Sequence, residues 1–342
     1  MQNTQVKKRS AGQFLLNYAL YIILLAILVA VSIANPDFLQ VNNIMQILKQ
    51  ASTRGILALG CAGLIVLAGT DLSIGRQLGL SAAVCASLVQ QVTYASRYYL
   101  QMTEQLPIIV PLLASIAVTV VFCLINGFGV AYLKMHAFII TLGTQLIAYG
   151  ANCLYIEAQS AGSAQALAVF DRNFTNIAGG NITIGSVKIS YLIIIFLIVA
   201  AVMWVVWNKT RLGKNMFAVG GNQEAAAVSG VNVAKTIMLV YLVAGILYGL
   251  ASFLEASRLQ SVGTNTGLNY ELDAIAACVI GGVSFVGGIG KIRGIVIGVV
   301  MLRLIFVGLN MIGINQDLFY IIKGGIILFA CALDMRKYLV KR

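Results

Sequence analysis

Long runs of apolar residues, separated by short polar breaks, repeat along the whole chain and constrain its fold more than any other feature. A helix needs about 20 mainly apolar residues to cross the hydrocarbon core of a bilayer. Of the 342 residues, 60% are hydrophobic and only 10% are charged, a balance outside the usual range of soluble domains. We therefore predict an all-α integral membrane protein in which residues 1–342 form a single transmembrane domain of about ten helices.

Apolar runs taken as helices, and clusters of Gly, Pro, Asn, Asp or charge taken as breaks, give ten approximate spans. Two of them are short and run into glycine-rich breaks, so broken or re-entrant helices are an open alternative there. The short spans are 53–69 and 272–286, and the others are 14–34, 76–94, 107–133, 137–156, 189–208, 236–256, 291–311 and 318–334.

The segment 41–50, which precedes the second span, carries its apolar residues on one helical face. They are Val41, Ile44, Ile47 and Leu48. This pattern predicts a separate amphipathic helix that lies at the membrane interface.

The net charge of +12 is distributed unevenly about these spans. Fifteen Lys and Arg residues, Arg76 among them, and three acidic residues fall on the side of the N-terminus, so this face carries the whole net charge. An excess of Lys and Arg marks the cytoplasmic face of a membrane protein. Both termini are therefore predicted to be cytoplasmic, and the same placement argues against a nucleic-acid partner.

Two polar segments between spans stand out under this topology. Residues 157–188 are rich in small and polar residues and are predicted to form a periplasmic loop. Residues 209–235 are the longest cytoplasmic segment, and they contain a helix with clear start and stop signals. Asn222 is a good N-cap, Glu224 favours the first turn, and Gly230 is placed to end the helix.

The chain lacks the motifs of an ATPase or of a metal site. A P-loop requires Ser or Thr after Gly-Lys, whereas Gly290-Lys291 is followed by Ile292. The single histidine, His136, has no partner at a spacing typical of a catalytic dyad or a metal site. All six cysteines lie in apolar runs without a CxxC pair, which indicates buried thiols. No bound cofactor or metal is predicted, and any ATP must be used by another chain.

Charged and small residues inside the spans give weaker signals. Arg303 and Lys323 lie mid-span and either tie helices together or line a cavity. The lack of acidic residues at mid-span argues against a proton-coupled pump. Two rows of glycines predict close helix packing: Gly75 with Gly79, and Gly290 with Gly294 and Gly298.

Four stretches of the sequence resemble one family of transport proteins. They are NKTRLGKNMFAVGGNQEAAAVSGVNV at 208–233, AGTDLSIGRQLGL at 68–80, INGFGVAYLKMHAFIITLGT at 125–144 and ELDAIAACVIGGVSFVGGIG at 271–290. They are similar to the permease subunits of bacterial sugar ABC importers, in the branch that handles ribose, arabinose, xylose and galactose. Within this branch the similarity is greatest to members that handle galactose and methyl galactoside.

This resemblance implies a fold similar to that of the vitamin-B12-type importer permeases, in the bacterial inner membrane. It also implies three protein partners: a second copy of the chain, a tandem-domain ABC ATPase that binds ATP and Mg, and a periplasmic sugar-binding protein. The helix within 209–235 would be the coupling helix that docks on the ATPase. Its candidate coupling residues are Asn222, Glu224, Ala225, Ala226, Ser229 and Gly230.

A neutral sugar is bound by hydroxyl and amide groups, so the candidate pathway residues are polar groups in apolar surroundings. They are Asp71, Ser73, Asn126, Thr141, Thr144 and Gln145. The alternative for each is a hydrogen bond that merely ties neighbouring helices. The expected function is ATP-driven import of a monosaccharide by alternating access, galactose or methyl galactoside first. Ribose or xylose import and a stand-alone secondary carrier or channel are the alternatives.

Overall fold

The computed structural model describes residue 22 and residues 25–158, 165–185 and 187–339. Most of the chain within these ranges is helical. The first part of the span predicted over 14–34 lies outside the described residues, and its remainder forms helix α1, Leu25–Ala34.

A 3₁₀ turn at Pro36–Leu39 leads from α1 into the rest of the bundle. The helices that follow are α2 Val41–Val66, α3 Ile74–Val89, α4 Ile109–Ala131, α5 Ala137–Glu157, α6 Arg172–Gly179, α7 Tyr191–Lys209, α8 Arg211–Gly221, α9 Gln223–Val228, α10 Val233–Leu259, α11 Tyr270–Ile280, α12 Ile292–Met311 and α13 Gln316–Leu339. Four short strands are interspersed: β1 Leu167–Ala168, β2 Asn181–Ile184, β3 Val187–Ser190 and β4 Ser261–Val262.

Five of the described helices are long and apolar enough to cross a membrane, namely α4, α5, α7, α10 and α12. The predicted helical class is thereby confirmed, while the count of ten spans stays a prediction. The four strands form two antiparallel pairs, β1 with β4 and β2 with β3. The prediction of an all-α chain was wrong in this detail, because the pairing of β1 with β4 joins segments far apart in sequence.

Helix α2 corrects the prediction of a separate interfacial helix. Residues 41–50 and the predicted span 53–69 form one continuous helix of 26 residues. The polar stretch between them does not break it, because the Ser52 hydroxyl donates to the Leu48 carbonyl at 2.8 Å and Thr53 is buried. Polar residues at this junction are therefore part of the helix rather than a boundary.

Helix α11 is too short to cross a bilayer. Its 11 residues extend about 16 Å at a rise of ~1.5 Å per residue, roughly half of the hydrocarbon core. The helix ends at Ile280, before the predicted limit of 286, because Gly282 follows with a φ of +79°. The predicted span 272–286 is therefore interrupted in its glycine-rich part.

The described part of the segment 157–188 folds onto the bundle instead of forming a plain loop. Phe174 and Ala178 of α6 are buried. The Ser257 hydroxyl of α10 donates to the Phe174 carbonyl at 2.7 Å and accepts from the Ala178 amide at 3.1 Å. The segment is therefore held against the end of α10 by its own backbone groups.

The glycine rows predicted to pack closely lie at two tight contacts. A Cβ on Gly75 or Gly79 would overlap the carbonyls of Gly267 or Thr266, and a Cβ on Gly294 would overlap the Gly281 carbonyl. Gly290 is different, because it lies before α12 and faces the side chains of Val66, Trp207 and Val283.

Substitution of Gly298 by alanine should destabilise the bundle, because its Cβ would overlap the Ala277 carbonyl in α11. Overpacking of this kind costs about 1–3 kcal/mol. The matched control is Gly324→Ala in α13, where a Cβ meets nothing within 4 Å and the gain in helix propensity is about 1 kcal/mol. Thermal unfolding of the two variants in detergent should therefore shift in opposite directions, and equal shifts would contradict the predicted contact.

Candidate coupling surface and buried polar clusters

The segment 209–235 contains two short helices, and sequence reasoning found only the second. Thr210 caps α8 by accepting a hydrogen bond from the Gly213 amide at 3.3 Å. Asn222 caps α9 by accepting from the Ala225 amide at 2.9 Å, which confirms the predicted N-cap. A Thr followed by Arg-Leu-Gly-Lys gives only a weak start signal, which is why α8 was missed.

Helix α9 ends in a glycine-dependent turn. Gly230 has a φ of +83°, its amide donates to the Ala227 carbonyl, and the Val231 amide donates to the Ala226 carbonyl, both at 3.0 Å. These two bonds form a Schellman motif, in which the left-handed residue is usually glycine. The predicted stop at Gly230 is confirmed, and the ends of α9 are fixed by local hydrogen bonds.

The surface of α9 is almost entirely exposed. Of its six residues only Ala226 is buried, whereas Glu224 lies exposed near the start and the Val228 side chain is 91% exposed at the end. A rigid, capped helix that presents an apolar side chain to the outside is suited to contact with another surface.

Helix α8 connects α9 to the ends of two interior helices. A Cβ on Gly220 would overlap the Val66 carbonyl at the end of α2, and it would lie 2.9 Å from the Gly288 amide. The Gly288 amide, in the loop after α11, donates to the same Val66 carbonyl at 2.8 Å. Backbone contacts of α8 therefore join α9 to the end of α2 and to the loop between α11 and α12.

Five of the six candidate pathway residues lie in one buried hydrogen-bonded network. Asn126 is central to it, because its Nδ2 donates to the Ser73 hydroxyl at 3.1 Å and its Oδ1 accepts from the Thr144 hydroxyl at 2.8 Å. Asp71 accepts from the Ser73 amide at 2.8 Å, and Thr141 accepts from the Leu72 amide at 3.2 Å.

These five side chains are nearly inaccessible and link α3, α4 and α5. The arrangement is what the helix-tying alternative requires, and the pathway role stays a prediction for them. Gln145 differs from them, because it is half-buried and forms no hydrogen bond with another described residue. The network also includes Gln77, whose amide donates to the Ser73 hydroxyl at 2.6 Å and which sequence reasoning did not select.

A buried cluster of charges links four helices. Asp273 of α11 forms ion pairs with Arg54 of α2 and Lys323 of α13. Lys323 is therefore an inter-helix tie, one of the two roles left open for it. Arg303 of α12 takes the other role, because it lines a small cavity beside Arg54, Asp273 and Phe306.

A second ionic contact adjoins this cluster at Glu255 of α10. Its carboxylate accepts from Arg258 at 2.7 and 2.8 Å, from the Tyr270 hydroxyl at 2.7 Å and from the Thr53 hydroxyl at 2.8 Å. The signal present in the sequence was the spacing of Glu255 and Arg258, which puts them on one helical face. Thr53 and Arg54 gave no such signal, since their partners are 202 and 219 residues away.

Residues with metal-binding or nucleophilic side chains are dispersed. His136 accepts a hydrogen bond from the Phe138 amide at 3.3 Å and caps α5. Cys61, Cys85, Cys123 and Cys278 are buried thiols. Within the described ranges, His, Cys, Asp and Glu form no group of three that could hold a metal ion.

Comparison with known proteins shows one family over most of the chain. A family model described as "Branched-chain amino acid transport system / permease component" matches residues 43–331. The chain is 47% identical over 337 residues to the galactose/methyl galactoside import permease protein MglC of Salmonella typhimurium, covering 98% of this chain and 99% of that protein. It is 46% identical, with the same coverage, to the protein of that name from Escherichia coli strain K12.

The ribose import permease protein RbsC of Haemophilus influenzae is a more distant relative, 34% identical over 337 residues and 98% of each chain. No solved structure matches the chain.

Proposed function

We propose that this chain, which belongs to the family of transport-system permease components, is the membrane-spanning subunit of an ATP-driven importer of galactose and methyl galactoside. The observation that carries the proposal is the full-length similarity to import permeases named for these sugars. The ribose relative of Haemophilus influenzae covers the same length at lower identity, which makes ribose the less favoured substrate.

The proposed arrangement is a multi-pass protein of the bacterial inner membrane with about ten spans and cytoplasmic termini, in a fold similar to vitamin-B12-type permeases. Residues 157–188 face the periplasm and residues 209–235 face the cytoplasm. The positions of α6 at one end of α10 and of α8 and α9 before its other end support this assignment, because the two segments lie on either side of a helix long enough to cross a membrane.

The proposed assembly contains two copies of the chain, a tandem-domain ATPase that binds ATP and Mg, and a periplasmic sugar-binding protein. The lack of a P-loop in the sequence supports an ATPase on a separate chain. The exposed surface of α9, with Glu224 near its start and Val228 at its end, is the proposed docking point. Asn222 and Gly230 fix the ends of α9, Ala225 and Ser229 lie exposed on it, and Ala226 packs inward.

The proposed mechanism is alternating access. ATP binding draws the ATPase domains together and moves α9, and α8 transmits this displacement through Gly220 to Val66 and Gly288. The ends of α2 and α11 then shift, which changes the side of the membrane to which the pathway opens. The hydrogen-bonded network around Asn126 holds α3, α4 and α5 together as one wall of the pathway. Gln145 faces the pathway from α5.

The sugar specificity is tested by competition in cells that carry the complete transport system and no other galactose importer. Labelled galactose should accumulate in these cells. A tenfold excess of unlabelled methyl galactoside should suppress this accumulation. The same excess of ribose or xylose should not, because polar contacts to hydroxyl groups discriminate strongly among sugars. Cells that lack only this chain are the control. Equal suppression by ribose would overturn the choice of galactose.

A further inference from the structure

Arg76 lies in the first turn of α3, beside the middle of α5. Its guanidinium carbon lies 4.1 Å from the centre of the Tyr149 ring. Tyr149 is the thirteenth of the 21 residues in α5, a helix long enough to cross the membrane. The charge is therefore level with the middle of α5, although Arg76 itself lies near the start of α3.

The Arg76 charge is only partly satisfied within the subunit. Its guanidinium donates one hydrogen bond, to the Thr264 carbonyl at 3.3 Å, and the side chain is half-buried. In the part of the chain that the structure describes, ion pairs join Asp273 to Arg54 and Lys323 and Glu255 to Arg258, and Arg76 is in none of them. A charge inside the bilayer faces the protein interior or water rather than lipid. The open side of Arg76 therefore faces protein or water, and the Glu271 carboxylate lies beside the neighbouring Gly75 without forming an ion pair with Arg76.

Three residues of α5 share the face that carries Arg76. Gln145, Tyr149 and Asn152 are separated by four and three residues, which puts them on one side of the helix. The Tyr149 side chain is 37% exposed, and the Gln145 amide has no hydrogen bond to another described residue. Asn152 is 1% exposed, and its Nδ2 donates to the Thr264 carbonyl at 3.3 Å. Its Oδ1 is buried without a hydrogen-bond partner among the described residues.

The exposed face of α7 provides a contrast within the same bundle. It presents Leu197, Ile198 and Val202, and each of these side chains is more than half exposed. Such an apolar face is suited to lipid, because lipid-facing positions carry no polar groups that need partners. The face of α5 that carries Gln145 and Tyr149 also has the exposed Leu142 and Leu146, but it differs from the α7 face in having polar groups and a charge beside it.

We infer that Arg76, Gln145 and Tyr149 form a sugar-contact subsite midway along the translocation pathway. An aromatic ring stacks on the apolar C–H face of a pyranose, while guanidinium and amide groups donate to its hydroxyls. Arg76 covers one face of the Tyr149 ring, and the exposed part of the ring is left for the sugar. These contacts do not require a charged substrate, so a neutral sugar satisfies them. This inference rests on the proposed import function.

Accessibility to water is the first test, with the complete importer in membranes. A charged, membrane-impermeant methanethiosulfonate reagent should label Tyr149→Cys at least about tenfold faster than Ile198→Cys, because the reactive thiolate forms only in water. Added galactose should slow labelling of Tyr149→Cys and leave Ile198→Cys unchanged. Equal labelling rates at the two positions would overturn the inference, and so would labelling of Tyr149→Cys that galactose does not affect.

Transport by reconstituted importer is the second test. Arg76→Gln and Tyr149→Ala should each lower kcat/KM for galactose uptake about tenfold or more, as expected when a polar or stacking contact to substrate is lost. ATPase activity stimulated by the binding protein should persist in both. The control is Tyr132→Ala, an exposed tyrosine at the end of α4.

Transport by the unmodified importer distinguishes a failure of the proposed function from a failure of the proposed subsite. If it fails to transport galactose, the proposed function falls, and the subsite falls with it. If it transports galactose and both variants match the control, only the subsite is overturned.

Discussion

We expect Gly220→Ala to abolish ATP-driven galactose uptake and Gly221→Ala to leave uptake unchanged. The two glycines are neighbours in α8, but a Cβ at Gly220 would overlap the Val66 carbonyl, whereas a Cβ at Gly221 meets nothing within 4 Å. A shift of α8 that relieves the overlap breaks the contact with Val66 and Gly288, the route by which α9 would move the ends of α2 and α11. Overpacking of this kind costs about 1–3 kcal/mol, which is enough to favour the displacement of α8.

The measurement is uptake of labelled galactose by proteoliposomes that contain the permease, its ATPase and the binding protein. ATP hydrolysis is followed in the same samples, because a broken mechanical link should leave basal hydrolysis while transport is lost. Size-exclusion chromatography verifies that both variants assemble. Equal uptake by Gly220→Ala and Gly221→Ala would show that α8 does not transmit the motion.

We expect Asp273→Asn to destabilise the permease by about 3–5 kcal/mol, the cost of breaking a buried ion pair by removal of one partner. The effect is large because Asp273 is the shared anion of Arg54 and Lys323, so its loss leaves two buried cations. The matched control is Asp317→Asn in α13, since Asp317 is exposed and should tolerate the change.

Thermal unfolding of the purified permease in detergent measures this effect. The double variant Asp273→Asn with Lys323→Met should recover part of the loss, because only Arg54 then remains without its anion. Similar unfolding temperatures for Asp273→Asn and Asp317→Asn would contradict a structural role for the cluster. A double variant no more stable than the single one would contradict the pairing of Lys323.

The sequence predicts those features that depend on local patterns. The apolar runs locate the long helices, and Asn222 and Gly230 delimit α9 because capping and the Schellman turn involve residues only a few positions apart. Resemblance in sequence also identified the family, which the comparisons then showed over residues 43–331.

Features that depend on distant partners could not be predicted in this way. The predicted boundary between residues 50 and 53 is absent from α2, and the polar residues just after it, Thr53 and Arg54, are bound by Glu255 of α10 and Asp273 of α11. Arg76 lies near the start of α3, as the sequence predicts, but a charge count cannot show that Tyr149 of α5 lies beside it. The contact of Gly220 with Val66 likewise joins residues that no periodic pattern relates.

The most direct test of the proposed function is whether transport requires partner proteins and ATP. Proteoliposomes should accumulate labelled galactose only when the chain is reconstituted with its ATPase and binding protein and supplied with hydrolysable ATP. Omission of any one component should reduce uptake to the level of empty vesicles. Galactose uptake by the chain alone, without ATP, would instead identify a stand-alone carrier or channel and contradict the assignment as an ABC permease.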